Sequence, residues 1–590
     1  MRRILPFFLI LLICFTAIGV QWSDAQNTND RSTDEKPTFS DSSRVDVKKT
    51  PGSDPEFQII EETESLDIDD LYIYGNRHTV DKSEKELTGP PDILVSPRNI
   101  PVNQDKGILE IQQSLGQKSG PEEEGSSQLR KYLYRASAEF GTYTTIPVSF
   151  FHGNQVENFN YFLNLGFERS GGHTDHSEYQ EAKAEGRFHY QIDETGNLSV
   201  RGSFFNRPYE MYGASSDLNL DRKRRFRMFE GSVNFRKTIK DKIFIIAGFS
   251  ADKSYFKEEG SNQLAEWEDE ENSFLTKLAI TGLWGDHLVS VDALLARSTT
   301  DFHNGVSFGM NYFMIQPKWI WTPTSSISGI IGANMLGYNT DELGDTSKML
   351  PYLKATYTTP KKIALSATFS SFLQGHSLKT YWRHNAFIDS MYTPMPELHP
   401  FVFEAAAEYD PTPSIKMRAG WNVASIKNLP LYQSHISPDS TYTWAVASPD
   451  SVLKKENLTR HILFAESVLT PAPFFQISLN VKVRSFNDHL AYQPFFDSSF
   501  MIDYRSERYF NARLNWSIIG ERYADNSRSS KPKPTTLEGY QMLNIDLSRR
   551  VYQNITAIAR GHNLTDATTE IWQDYKPLGQ MFFLGAMIEF

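Results

Sequence analysis

Three clusters of side chains in this sequence hold the charges and ligating groups from which chemistry could be built. His173-Thr174-Asp175-His176 places two imidazoles and a carboxylate within four residues, donor types that a divalent metal accepts. A hydrated loop uses the same residues for nothing of the kind, and no third element marks them as ligands. Arg222-Lys223-Arg224-Arg225-Phe226-Arg227 concentrates basic side chains at the start of an apolar-alternating segment. Guanidinium forks match phosphate oxygens, so Arg222, Lys223, Arg224, Arg225 and Arg227 are candidates for an anionic ligand or for lipopolysaccharide phosphates. A solvated rim is the competing reading. The acidic run Glu266 to Glu271 is most simply a solvated surface. No His-Glu-x-x-His pair or phosphate-binding loop occurs, and no nucleophile elbow is expected. The expectation is therefore a protein that is not an enzyme and has no cofactor.

The elements that position these residues follow from composition. The chain has 590 residues, 22% of them charged. Its mean hydropathy is −0.45. Apart from residues 4–20 there is no apolar run long enough for a membrane helix, which excludes a helical bundle in lipid. Yet 13% of residues are aromatic, with 40 Phe, 27 Tyr and 10 Trp. Polar on average, aromatic-rich and without apolar helices is the combination expected of a transmembrane β-barrel. The net charge of −12 offers no basic excess for nucleic acid.

Arg2 and Arg3 precede an apolar stretch from Ile4 to Val20, and Ser23-Asp24-Ala25 supplies small residues for cleavage. Residues 1–25 thus read as a cleavable secretory signal. The only cysteine, Cys14, lies inside it, so the exported chain has no thiol for a disulfide, a metal or a nucleophile. Residues 26–130 are rich in Asp, Glu, Ser, Thr, Lys and Pro and bury too little to offset the entropy of ordering. They read as a largely disordered periplasmic arm or a reduced lumen insert. Leu71, Tyr72, Ile73 and Tyr74, with Ile108 to Ile111, are the strand-like exceptions.

From residue 131 onward the pattern has a period of two. Phe159, Tyr161, Leu163, Leu165 and Phe167 alternate with Asn160, Phe162, Asn164 and Gly166. Ala182, Ala184, Gly186, Phe188 and Tyr190 alternate with Lys183, Glu185, Arg187 and His189. Thr322-Pro323-Thr324, Thr359-Pro360-Lys361, Pro411-Thr412-Pro413, Thr470-Pro471-Ala472 and Asp193 to Asn197 read as tight turns. Residues 253–271, 373–399, 426–458 and 521–538 read as long polar loops. Short turns on one side and long loops on the other are the asymmetry of an outer-membrane barrel with its short side periplasmic. The expected fold is all-β, an antiparallel transmembrane barrel of about 22 strands over residues 131–590. Trp284, Trp319, Trp321, Trp516 and Trp572 are expected in interfacial girdles. Phe582, Leu584, Ala586, Ile588 and Phe590 share one face of a last strand that ends on an aromatic. That strand is similar to the signal read by the barrel-assembly machinery of diderm bacteria.

The barrel segment resembles the TonB-dependent receptors. Tyr134 to Tyr143, with Glu-Phe-Gly-Thr-Tyr, resembles their opening strand and turn, and Tyr161 to Gly172 continues the hairpin pattern. Leu453-Lys-Lys-Glu-Asn457 resembles a Leu-Lys-Pro-Glu loop, with Lys455 in place of proline. Ser485 to Leu490, Ala559 to Asp566 and Pro577-Leu-Gly579 loosely match later family segments. The resemblance implies a 22-stranded barrel whose lumen is filled by an N-terminal plug. It also implies ligand binding or uptake across the outer membrane, energised by a TonB-type partner. This sequence departs from that pattern, because residues 26–130 lack the Gly- and Val-rich repeats of a plug. Leu71 to Tyr74 resembles a plug opening or a weak TonB-box-like docking strand with nothing to complete it. The lumen must then be filled by the arm, by inward loops or by a separate plug protein. A second function stays open, a non-transporting scaffold that anchors a periplasmic or surface partner complex.

Overall fold

The computed structural model describes residues 134–590 except 157, 174–176, 194, 211–222, 241, 260–265, 285–286, 325, 342–343, 393–394, 413, 437–441, 448–452, 454–456, 473, 507–508, 525–534, 573–574 and 577–578. The signal, the arm with Leu71 to Tyr74, and Arg222 lie outside the described residues.

Twenty-two antiparallel strands close into one barrel. Its first half is β1 (Tyr134–Gly141), β2 (Ile146–Val156), β3 (Phe159–Ser170), β4 (Tyr179–Asp193), β5 (Gly196–Glu210), β6 (Lys223–Ile239), β7 (Ile243–Glu259), β8 (Trp267–Trp284), β9 (His287–Asp301), β10 (Ser307–Thr324) and β11 (Ile327–Thr340). Then come β12 (Gly344–Thr358), β13 (Ile363–His376), the helix α1 (Leu378–His384), β14 (Ile388–Tyr392), β15 (Met395–Thr412) and β16 (Ile415–Lys427). The chain continues through β17 (Leu431–Ile436), β18 (Tyr442–Ala447), β19 (Asn457–Ala472), β20 (Phe475–Phe486), β21 (Phe496–Arg505) and β22 (Asn511–Ile519). It ends with β23 (Arg522–Tyr523), β24 (Thr536–Leu537), β25 (Tyr540–Tyr552), β26 (Ile555–His562) and β27 (Met581–Glu589). Strands β14, β17 and β18 form a small separate sheet, and β23 and β24 a two-residue ladder.

Closure comes from β27 pairing with β1, from Arg135 opposite Glu589 to Gly141 opposite Phe583. The Tyr134 amide donates to the Phe590 carbonyl at 2.8 Å, and the Phe590 amide returns the bond at 3.0 Å. The barrel sheet thus has no edge left to pair elsewhere. Alternation follows the register. In β3 and β4, Leu163, Leu165, Phe167 and Phe188 are exposed on the outer face, while Phe162, Glu181 and Arg187 are buried on the inner one. Water cannot satisfy backbone groups in lipid, so a closed ladder with an apolar exterior is the form in which strands cross it.

The Pro-containing turns and Asp193 to Asn197 all fall at the end of the barrel that carries Phe590, between strands separated by two to four residues. The opposite end carries the long connections. Two of the polar loops are shorter than expected, because β7 runs to Glu259, β8 starts at Trp267 and β13 runs to His376. The same two-residue period continues above the apolar band with charged side chains outward, which composition alone reads as loop.

Candidate functional site

The long connections do not all stand in solvent. Several turn inward and pack in the mouth of the barrel, beginning with α1 between β13 and β15. Ser377 caps the helix, its hydroxyl accepting from the Thr380 amide, and Arg383 and His384 occupy the last turn, where cations suit the helix dipole. Seven residues are too few for a helix to persist alone, so neighbours hold it.

Those neighbours are the inward faces of β5 to β9. Glu271 accepts from the Leu378 amide at 2.8 Å and from the Thr300 hydroxyl at 3.1 Å. The Lys379 ammonium reaches Asp252 at 3.1 Å. The Trp382 indole stacks on Phe226, with ring centroids 4.1 Å apart and planes 6° from parallel. Its Nε1 donates to the Tyr209 hydroxyl at 3.2 Å, and that hydroxyl donates to the Ala386 carbonyl. Arg224 pairs with Glu258 at 2.7 Å, lies over the Phe256 ring, and donates to the Ile388 carbonyl. The Leu378 amide, the Lys379 ammonium and the Trp382 indole each find a partner on the barrel wall, which helps to make an inward loop tolerable.

Other connections complete the cap from the far side. Phe387 stacks on Tyr575 at 3.7 Å between centroids. Trp572 is met edge-on by Tyr432 at 5.2 Å and at a tilt by Tyr492 at 4.1 Å. Arg522 donates to the carbonyls of Ile571 and Glu570 at 3.2 and 2.8 Å. Offset and edge-to-face aromatic contacts of this kind add to the burial of large apolar area. Leu378, Tyr381, Trp382, Phe387, Trp572 and Tyr575 are each at most 2% exposed. His384 stacks on Tyr432, and burial pushes its imidazole down to about 4, with His376 and Arg484 adding to the fall and Glu397 opposing it.

The barrel wall elsewhere is polar and paired. Arg135 and Arg550 share Glu589 at 3.1 and 3.0 Å, and Arg560 meets Glu139 at 3.0 Å. Lys318 meets Asp292 at 3.3 Å. Glu397 accepts from His376 at 2.8 Å and is bonded to His399 as well. Among the described residues no three His, Cys, Asp or Glu side chains converge as a metal site.

The sequence candidates are distributed unevenly over this architecture. His173 lies in the β3–β4 connection with its ring edge toward Tyr143, and its partners Asp175 and His176 lie outside the described residues. The basic run is divided by the strand period. Arg224 points inward and is 1% exposed, which corrects its reading as a rim residue. Lys223 and Arg225 point outward and pair with Glu210 at 3.2 Å and Glu259 at 3.5 Å. Arg227 points outward one turn of the pleat lower. The acidic run is likewise not all surface: Asp269 and Glu271 are fully buried, one holding His303 and the other α1. Trp284, Trp319, Trp321 and Trp516 are on the outer face, but Trp572 belongs to the cap. A Gly-x-Ser-x-Gly string does occur at Gly305 to Gly309, against expectation. It is the β9–β10 hairpin, with the Ser307 hydroxyl spent on Asp301 at 2.6 Å, and is no strand-to-helix elbow. Phe582, Leu584, Ala586, Ile588 and Phe590 all lie on the exposed outer face of the closing strand.

No protein-family model matches the chain, and no curated protein matches it in sequence. Solved structures match it in fold. The ferric-catecholate import receptor Fiu from Escherichia coli K12 shares 12% identity at a TM-score of 0.58, over 78% of this chain and 82% of its own. The iron transporter FrpB from Neisseria meningitidis shares 7% identity at 0.61, over 78% and 82%. The copper transporter OprC shares 11% at 0.56, over 78% and 80%. These likenesses are likenesses of fold, and this chain's own fold is a closed 22-stranded antiparallel barrel.

Proposed function

We propose that this chain is an outer-membrane receptor barrel that binds a ligand at its outer mouth and admits it past an inward-folded cap. The observation that carries the reading is the Trp382–Phe226 stack with its surrounding seam, which seats α1 against the inner wall. A barrel of this strand count is too wide for wall side chains to fill, and large outer-membrane transporters of this size carry filled lumens. The proteins that it resembles in fold are a ferric-catecholate import receptor, an iron transporter and a copper transporter.

In this reading residues 1–25 are removed on export and residues 26–130 form a periplasmic arm or lumen insert. Leu71 to Tyr74 is the segment that a TonB-type energiser would dock, or else a separate protein supplies the plug. Swelling of proteoliposomes in sugar tests the gate. The full mature chain is expected to pass little, and a variant with residues 378–388 replaced by a short Gly-Ser linker to pass much more. Equal swelling of the two contradicts it. The scaffold reading draws on the same close packing, taken as a permanent closure. It requires equal impermeability of both and a stoichiometric partner in pull-downs from solubilised membrane.

A further inference from the structure

On the inner wall, away from the α1 seam, an inward-facing cation stands outside the pairs described above. Trp421 on β16 and Leu463 on β19 are opposite one another and exposed on the outer face, so Asn422, Arg460 and Ile462 point inward. Arg484 on β20 stands opposite Ile462 and points inward with it. Arg460 is therefore the diagonal neighbour of both Asn422 and Arg484, at about 7–8 Å, a spacing that long side chains bridge. Arg460 is 7% exposed, Arg484 6% and Asn422 1%. They lie near the outer mouth, Arg460 just below Asn457, where β19 begins.

Arginine is almost never buried this deeply without a partner. Arg484 has one in Asp497. Among the described residues Arg460 has no hydrogen bond and no ion pair, and the Nε atoms of Arg460 and Arg484 are both buried without an acceptor. The charges that act on Arg460 are Glu397 and Arg484. Glu397 is already shared between His376 and His399, and Arg484 is a like charge. Apolar groups surround the rest: Ala424, opposite Arg460, and Leu458, two residues before it, belong to a core cluster that Leu453 and Leu490 join from the long connections. A carboxylate takes a guanidinium fork with both oxygens and keeps lone pairs for the second Nε and for the Asn422 amide. Glu397 nearby disfavours a ligand group with more than one negative charge, which selects carboxylate over a phosphate dianion.

We propose that Arg460, with the Nε of Arg484 and the amide of Asn422, binds the carboxylate of a small-molecule ligand. The inference rests on the reading of this mouth as a ligand site and names one group that the ligand carries. Thermal melting of the full mature chain in detergent tests it, with acetate, phosphate or chloride added as sodium salts at equal ionic strength. Acetate should raise the melting temperature saturably, above the level reached in chloride and above that in phosphate. Arg460→Met should raise the acetate concentration for half the effect roughly tenfold or more, as the loss of a charge-assisted hydrogen bond implies. In chloride the same variant should melt no lower than the wild type, since an unpaired buried charge is gone. Arg460→Gln replaces it if heat-modifiable migration on gels shows that it does not fold. Arg225→Gln, whose guanidinium pairs with Glu259 on the outer face, is the unaffected control. An acetate effect no larger than that of chloride overturns the site and leaves only water for these groups to bind. So does a stronger effect of phosphate, an undiminished acetate effect in Arg460→Met, or a lower melting temperature of that variant in chloride. Because melting needs no passage through the barrel, a negative swelling test with the acetate effect intact would remove the gate and leave the site.

Discussion

Trp382 and Phe226 lie face to face, 4.1 Å between ring centroids, although 156 residues of sequence separate the α1 loop from β6. One ring belongs to a connection and the other to the barrel wall, so their contact ties the connection to the wall. The same wall strand contributes Arg224, whose pairing with Glu258 leaves a guanidinium N–H for the loop carbonyl of Ile388. Stack and bridge together make α1 a docked element of the barrel interior.

Removing the ring tests the stack. Trp382→Ala is expected to cost the docked cap about 3–5 kcal/mol, the usual range for emptying a buried aromatic site. Amide exchange of Leu378 to His384 would then rise roughly 100- to 4,000-fold while barrel strands stay protected, since 1.4 kcal/mol is about tenfold. Unchanged exchange would mean that the loop is held elsewhere.

Arg224→Met leaves Glu258 buried without its cation, and breaking a buried pair by removing one partner costs about 3–5 kcal/mol. Glu258→Gln in the same chain is expected to recover part of that loss, because the uncompensated charge is gone. Thermal melting of the two variants in detergent measures the coupling. Additive losses would show that the two groups do not act as a pair.

Acid should loosen the cap. His384 is held near 4 by burial, against about 6.5 when free, so the undocked loop binds more protons in between. Docking is fully stable above about 6.5 and weakens as pH falls toward 4, by about 1.4 kcal/mol per unit at most. Tryptophan fluorescence across that window should report it, and His384→Phe should flatten the profile. A wild-type profile that is flat from 7 to 4 contradicts the assignment.

Much of the barrel is legible in the sequence, because a wall with lipid on one side and water on the other writes itself as a period of two. Proline marks the tight turns for the same local reason. The cap is not legible. Its rings come from residues near 226, 382, 387, 432, 492 and 572, scattered along the chain with no shared period, and α1 is too short to show a helical one. Reading the basic run by strand parity would have sent Arg224 inward and Arg225 outward. Trp572 looked like a girdle residue because composition carries no information on which way a loop folds.

The last residue also carries weight in the fold. Phe590 exchanges two backbone hydrogen bonds with Tyr134 and stacks on its ring at 5.4 Å. Deleting it is expected to lower the yield of heat-modifiable barrel in outer membranes several-fold, read on unboiled gels. Assembly at the wild-type level would remove the closing strand's proposed role as an insertion signal.

The most direct test places a cysteine at Ile388, in a chain whose only native cysteine is Cys14. Intact cells are treated with a membrane-impermeant maleimide. The Ile388→Cys thiol should stay unlabelled, and become labelled once Trp382→Ala is added. Prompt labelling of Ile388→Cys with Trp382 in place would contradict an inward-folded cap.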